Sequence, residues 1–207
     1  SKEYELSPYL LDNIDDAAHS LLWHLKNDNA ILLVVDSDAD GFCSSAMMYN
    51  YMKHFFPNAT IDYICHEHKA HGLDDIINQV LESDYDLIIC PDASSFDIEE
   101  HKQLKENGKE VLVIDHHDAP EYSKYAIVVN NQNGNVKNRC GSGTLVTWHC
   151  LNGIDNNYSS KLVPYVMISL ISDSMDMNTA ENYTVSYWGK QRINECKPLM
   201  QLVNKFN

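Results

Sequence analysis

The chain has 207 residues, 44% of them hydrophobic and 22% charged, which suffices for one large domain or two small ones with a substantial core. Thirty acidic residues face fifteen lysines and arginines, a net charge of −15, and the only arginines are Arg139 and Arg192. That balance disfavours unaided gripping of long nucleic acid, which needs a basic face. It also lacks a membrane span: the longest apolar runs, Ala30–Val35 and Leu162–Ser172, fall short of roughly 18 residues.

Ser1-Lys-Glu-Tyr-Glu lacks the basic-then-apolar order of a secretory signal. Six widely spaced cysteines (43, 65, 90, 140, 150, 196) form no Cys-x-x-Cys pair, which suits reduced thiols in a cytoplasmic protein better than a disulfide frame or structural zinc.

The first predicted element is an amphipathic helix over Leu10–Lys26, with Leu11, Ile14, Ala18, Leu21 and Leu25 at helical spacing. Ile31–Val35 reads as a buried strand that runs into Asp36-Ser-Asp38-Ala-Asp40-Gly41. Gly41 permits a tight exit into a helix over Phe42–Phe56, which Pro57 stops. Thr60–Cys65 is a second strand and Leu73–Leu81 a helix. Asp86–Cys90 is a third strand, ending at Pro91-Asp92, and Phe96–Asn107 a helix closed by Gly108. Glu110–Ile114 is a fourth strand, ending at Asp115-His116-His117, and Ala126–Val129 a fifth.

Strands apolar on both faces and alternating with helices predict an α/β fold, a parallel five-stranded sheet flanked by helices. Asn130–Asn138 reads as a mobile loop or turn. From residue 141 the chain looks helical, over Thr144–Leu151, Asn157–Ser172, Glu181–Asn194 and Pro198–Phe206. With no internal repeat or low-complexity linker, residues 1–207 divide into a leading helix (1–29), a parallel core (30–140) and a helical portion (141–207) of one domain.

Three strands thus deliver acids or histidines at their carboxyl ends, the edge where open α/β sheets bind ligands. Crowded carboxylates there need a cation between them, or some must stay protonated; a solvated acidic loop is the alternative. In a regular strand Asp36 and Asp38 would share a face. Oxygen ligands favour Mg2+ or Mn2+, and a histidine among them tilts the choice toward Mn2+ or another transition metal. Asp92 could instead cap the next helix, and His116-His117 could be surface residues. As a site, the pair divides into one metal ligand and one phosphate-facing acid, with Asp115 orienting a histidine. Asp173 sits at a helix carboxyl end, which a metal or solvent exposure would accommodate. Gly141-Ser142-Gly143 could present backbone N–H groups to an anion, with Arg139 beside it. Lys69 and His71, in His66–Gly72, could face a substrate phosphate.

Together, Asp36-x-Asp38-Ala-Asp40-Gly41, Asp92, Asp115-His116-His117, Arg139-Cys-Gly-Ser-Gly-Thr and Ile171-Ser-Asp173 resemble the DHH phosphoesterase superfamily, and within it the RecJ-type branch, from about residue 30 to the end. The resemblance implies a two-metal phosphodiesterase using Mn2+, with Mg2+ as the alternative. Asp36, Asp38, Asp92, His116 and Asp173 would hold the metals, Asp92 bridging them. His117 would contact or protonate the phosphate, supported by Asp115, and Gly141, Ser142 and Gly143 would cradle it, with Arg139, Lys69 and His71 as further substrate contacts. Asp40 stays outside the ligand set, behind the ligands or facing substrate.

Two departures stand out. RecJ-like enzymes continue into a DHH-associated domain, which residues 1–207 are not expected to include, and Lys69-Ala-His71-Gly72 replaces an element that carries arginine in cellular members. The latter form resembles compact phage or prophage relatives. The expected function is exonucleolytic hydrolysis of single-stranded DNA. A phosphodiesterase for oligoribonucleotides, phosphoadenosine phosphate or cyclic dinucleotides is the alternative, and a non-catalytic scaffold the third reading.

Overall fold

A computed structural model describes residues 11–66 and 71–205. Five strands form one parallel sheet in the order β2-β1-β3-β4-β5: β1 (Ile31–Val35), β2 (Ile61–Cys65), β3 (Leu87–Pro91), β4 (Glu110–Asp115) and β5 (Ile127–Asn130). Strand order reverses between β1 and β3, which opens a crevice at their carboxyl ends, the usual ligand position in such sheets. β1 and β3 are buried along their whole length, as two-sided coverage requires. β2 departs from the expected pattern. As the edge strand it exposes Asp62, Tyr63 and Cys65, because nothing pairs on its outer side among the described residues.

One face of the sheet packs Leu33, Ile89, Leu112 and Val129 against α1 (Ile14–Lys26), α2 (Ala39–Phe55) and α5 (Gly143–Ile154). The other packs Leu32, Val34, Ile88 and Val113 against Leu73, Val80 of α3 (Ile77–Leu81) and Leu104 of α4 (Ile98–Glu106). The predicted 73–81 helix is split, a 3-10 turn at Asp74–Ile76 preceding α3. The carboxyl-terminal helices are α6 (Asn156–Ser172), α7 (Ala180–Arg192) and α8 (Lys197–Lys205). At Gly189 of α7 an added Cβ would lie 2.6 Å from the Met167 Cβ, so glycine lets α7 approach α6 closely. No described helix is long and apolar enough to cross a membrane.

Candidate metal centre

Asp36 and Asp38 come together through a turn, and strand alternation is not the reason. Asp36 is the first residue past the strand, whereas Asp38 is the N-cap of α2, accepting a 2.8 Å hydrogen bond from the Gly41 amide. This cap starts α2 three residues before the expected Phe42. Gly41 is required by proximity, since an added Cβ would lie 2.5 Å from the Asp36 Cβ. His71 Nδ1 lies 2.7 and 2.8 Å from the two carboxylate oxygens of buried Asp36.

Asp40 turns the other way. Its carboxylate accepts from the Gly143 amide (2.8 Å), the Thr144 amide (2.9 Å), the Thr144 hydroxyl and the Ser169 hydroxyl (2.6 Å). Asp40 therefore clasps the first turn of α2 to that of α5 and to α6, behind the acids that face the crevice.

This clasp takes up one donor of the expected phosphate cradle, the Gly143 amide. The Gly143 and Thr144 amides are spent on Asp40, and the Leu145 amide donates to the buried Ser142 hydroxyl. Gly143 is instead needed for close approach, because a Cβ there would lie 2.2 Å from Asp92 Oδ1. Gly141 is likewise buried, beside Leu145 and Asn131.

Asp92 leaves β3 in a left-handed conformation, φ 71°, and Ser94 follows at φ 82°. Such backbone costs on the order of 1–3 kcal/mol in a non-glycine residue, and here it turns a carboxylate into the crevice. Asp92 is buried, yet neither carboxylate oxygen has a hydrogen-bond partner among the described residues. Burial, reinforced by Asp40 and Asp38, pushes its carboxyl up to about 11. An unpartnered buried carboxylate beside other acids is costly unless a cation binds it.

On β4, Asp115 is equally buried and fully satisfied. Its Oδ1 accepts from the His116 amide (2.7 Å), the His117 amide (3.2 Å) and His117 Nδ1 (2.8 Å), and its Oδ2 from the Ser95 amide (3.1 Å). Burial alone would raise its carboxyl, but these bonds, His117 foremost, hold it below the ordinary carboxylate value. Reciprocally, the Asp115 bond raises His117 above an ordinary histidine. Asp115 is thus a positioning residue and does not itself reach into the crevice.

His116 points its Nε2 there, 3.3 Å from Asp92 Oδ1, 3.7 Å from Asp173 Oδ2 and 3.8 Å from Asp40 Oδ2. Asp173, the C-cap of α6, leaves its Oδ2 unpartnered among the described residues, and its carboxyl is raised, chiefly by burial. Three overlapping sets offer ligand atoms within 4.8 Å of one another: Asp36, Asp38 and Asp92; Asp92, His116 and His117; Asp40, His116 and Asp173. Asp92 belongs to two of them, and the acids and histidines fit divalent-metal binding. All five expected ligands meet here.

The expected substrate contacts do not all gather with them. Arg139 is exposed and folds back onto the carbonyls of Gln132 and Gly134. His71 is at the centre but bonded to Asp36, while Lys69 lies outside the described residues.

Sequence reasoning missed the amides after β5. Asn130 pairs in register with Asp115 and donates to Ser95 Oγ (3.0 Å) and the His117 carbonyl (2.9 Å). Gln132 Nε2 donates to the His116 carbonyl (3.0 Å) and the Arg139 carbonyl (2.8 Å). With Asn130, Asn131 and Asn138 buried, the segment expected as a mobile loop or turn is a turn whose buried ends brace the histidine loop. The signal was available: amides at the same sheet edge as the histidines, one strand over.

Fold and site define a parallel α/β domain with an acid and histidine cluster at its switch point. The family described as "DHH family, N-terminal domain" matches residues 30–171, and the chain belongs to it. It is 38% identical over 200 residues to a protein carrying the provisional name of an SPbeta prophage-derived single-strand DNA-specific exonuclease, YorK, of Bacillus subtilis (strain 168). That match covers 94% of this chain and 34% of the relative, so the chain spans about a third of its relative's length. Two solved structures share the fold at 22% identity. Exonuclease RecJ bound to manganese superposes with a TM-score of 0.80 over 91% of this chain and 50% of that one. RecJ in complex with Mn2+ from Thermus thermophilus gives 0.76 over 88% and 27%.

Proposed function

We propose that this chain is the catalytic domain of a metal-dependent exonuclease that hydrolyses single-stranded DNA. The carrying observation is Asp92, buried with two unpartnered carboxylate oxygens between Asp36 and Asp38 on one side and His116 and Asp173 on the other. Asp36, Asp38 and Asp92 would hold one divalent ion, and Asp92, His116 and Asp173 a second, Mn2+ being favoured by the histidine. Such ions supply Lewis-acid activation of water and neutralise charge at phosphorus.

The chain's own groups do the rest. His71 steadies the Asp36 carboxylate, and Asp40 fixes the helix ends behind the ligands. His117 commits Nδ1 to Asp115, which leaves Nε2 to bind a phosphate oxygen or give its proton to the departing oxygen. Incubating end-labelled single-stranded DNA with Mn2+ tests the reading, with Asp38→Ala as control. Metal-dependent release of nucleotides supports it, and an intact strand overturns it.

The net charge of −15 favours a second reading, a phosphodiesterase for short nucleotides, because a negative surface repels a long polyanion. Turnover of a dinucleotide against a long strand separates the two. Strong preference for the long strand removes the short-substrate reading.

A further inference from the structure

Beside the acid cluster, on the α2 side of the sheet, lies an apolar groove of about 230 Å3 between α2 and the β1–β2 edge. Its lining includes Val35 of β1, Tyr63 and Cys65 of β2, and Phe42, Ser45 and Tyr49 of α2. Val35 directly precedes Asp36, and Phe42 stands one helical turn beyond Asp38, its amide bonded to the Asp38 carbonyl at 3.0 Å. The groove therefore opens next to two of the residues assigned to the metals.

We propose that this groove is a nucleobase subsite, holding one unpaired base of the strand whose phosphate sits at the acidic centre. The inference rests on the nuclease reading above. Three observations choose a base over other occupants. The volume is below the roughly 300–1,000 Å3 of sites that enclose a drug-sized ligand, which suits one planar group. Phe42 and Tyr63 are 52% and 66% exposed, with Tyr49 packed edge-on to Tyr63 at 6.4 Å between centroids, so the groove offers free aromatic surface for stacking. Finally, Ser45 lines the groove 4% exposed, and its hydroxyl has no hydrogen-bond partner among the described residues. A buried hydroxyl left unpaired is unfavourable, and the edge of a base supplies donors and acceptors that would satisfy it.

Charge points the same way. Among the described residues, no side chain lining the groove is an acid, lysine or arginine, which suits a neutral base and not a phosphate. With a net charge of −15, phosphate contacts can supply little of the affinity for a strand, so stacking must supply more of it.

The test is a fluorescence titration in Mg2+, using a short single strand with terminal 2-aminopurine and phosphorothioate linkages that resist hydrolysis. The protein quenches the probe, and Phe42→Ala and Tyr63→Ala each weaken the titration by roughly 5- to 100-fold. Ser45→Ala weakens it a few-fold, and all three variants keep the parent melting temperature within a few degrees. Absence of quenching, or equal quenching by Phe42→Ala and Tyr63→Ala, overturns the subsite; an unchanged Ser45→Ala overturns the role of the hydroxyl. If sedimentation shows a dimer that Phe42→Ala dissolves, the groove belongs to a second copy of the chain and the proposal is overturned. Hydrolysis of the natural strand is followed in parallel: quenching that depends on Phe42 without hydrolysis removes the nuclease reading and leaves the base subsite standing.

Discussion

Asp92 and Asp115 end neighbouring strands, at equal depth, and their environments are opposite. Asp92 follows β3 with no hydrogen-bond donor among the described residues, its carboxyl pushed up to about 11 by burial and then by Asp40 and Asp38. Asp115 closes β4 with donors on both oxygens, and its carboxyl is held down in spite of burial. Burial does not distinguish the proposed metal ligand from the positioning residue here. The count of satisfied lone pairs does. One strand end is built to be completed by something from outside, and the other completes itself in order to aim His117.

The largest expected effect breaks this pair apart. Asp92→Asn should abolish strand hydrolysis while stabilising the metal-free protein by about 1–3 kcal/mol at neutral pH, since the neutral amide removes the cost of protonating a buried carboxyl on folding. Asp115→Asn should do the reverse to stability, costing about 1–3 kcal/mol, because the amide cannot accept from all the donors Asp115 serves. Urea unfolding in EDTA measures both. The same sign for the two substitutions would end the distinction.

The pH response sharpens it. Asp92 in the metal-free fold has a raised pKa, so between about 4 and about 11 the native state binds the proton more tightly than the unfolded chain. Its contribution is therefore most favourable at acid pH and is lost as pH rises through that window. In EDTA, melting temperatures from about pH 5 to about pH 9 should decline more steeply for the parent protein than for Asp92→Asn. Mn2+ competes with that proton, so its stabilisation should grow with pH, and calorimetry in buffers of different ionisation enthalpy should show proton release. Metal uptake without proton release would mean that Asp92 is already ionised in the metal-free fold.

The parallel sheet and the positions of its strand ends were legible because apolar runs punctuated by acids and histidines survive any uncertainty in helix bounds. The gathering of Asp36, Asp38, Asp92 and His116 followed from that, whereas Asp173, at a helix end, entered the expected set through the family resemblance. What the pattern could not show was which donors each group would meet. Gly141-Ser-Gly143 carries the composition of an anion cradle, yet the Gly143 amide faces Asp40, a contact 103 residues apart in sequence that only the packing of α2 against α5 creates. Likewise the Asn-rich stretch after β5 reads as loop, because amide side chains favour turns. Its brace on His116 and His117 depends on β5 lying beside β4 with Asn130 opposite Asp115.

His117→Ala comes next in size. Removing a positioned proton donor should lower turnover by about 10²–10⁴, with the Mn2+ titration largely retained, because His116 and the acids remain. Loss of metal binding instead would reverse the roles of the two histidines, as the placement of His117 within reach of Asp92 allows. The pH profile adds a second readout. Asp115 raises His117, so its protonated form persists above the ordinary histidine range and is lost as pH rises through that raised value. Asp115→Asn should move the alkaline limb of the rate profile to lower pH.

The smallest effect tests whether the β4 end really completes itself. If Asp115 alone fixes the histidine loop, the amides after β5 are incidental; if the loop is held from both sides, Gln132 contributes by anchoring the His116 carbonyl. Gln132→Ala removes donors to the His116 and Arg139 carbonyls, and should cost about 0.5–1.5 kcal/mol of stability. Because His116 would then aim less firmly at Asp92 and Asp173, the Mn2+ midpoint should rise by roughly an order of magnitude at most, with turnover at saturating Mn2+ nearly restored. A rate defect that excess Mn2+ does not repair would place Gln132 in contact with substrate. An unaltered Mn2+ titration would leave Asp115 and Asn130 to hold the loop without Gln132.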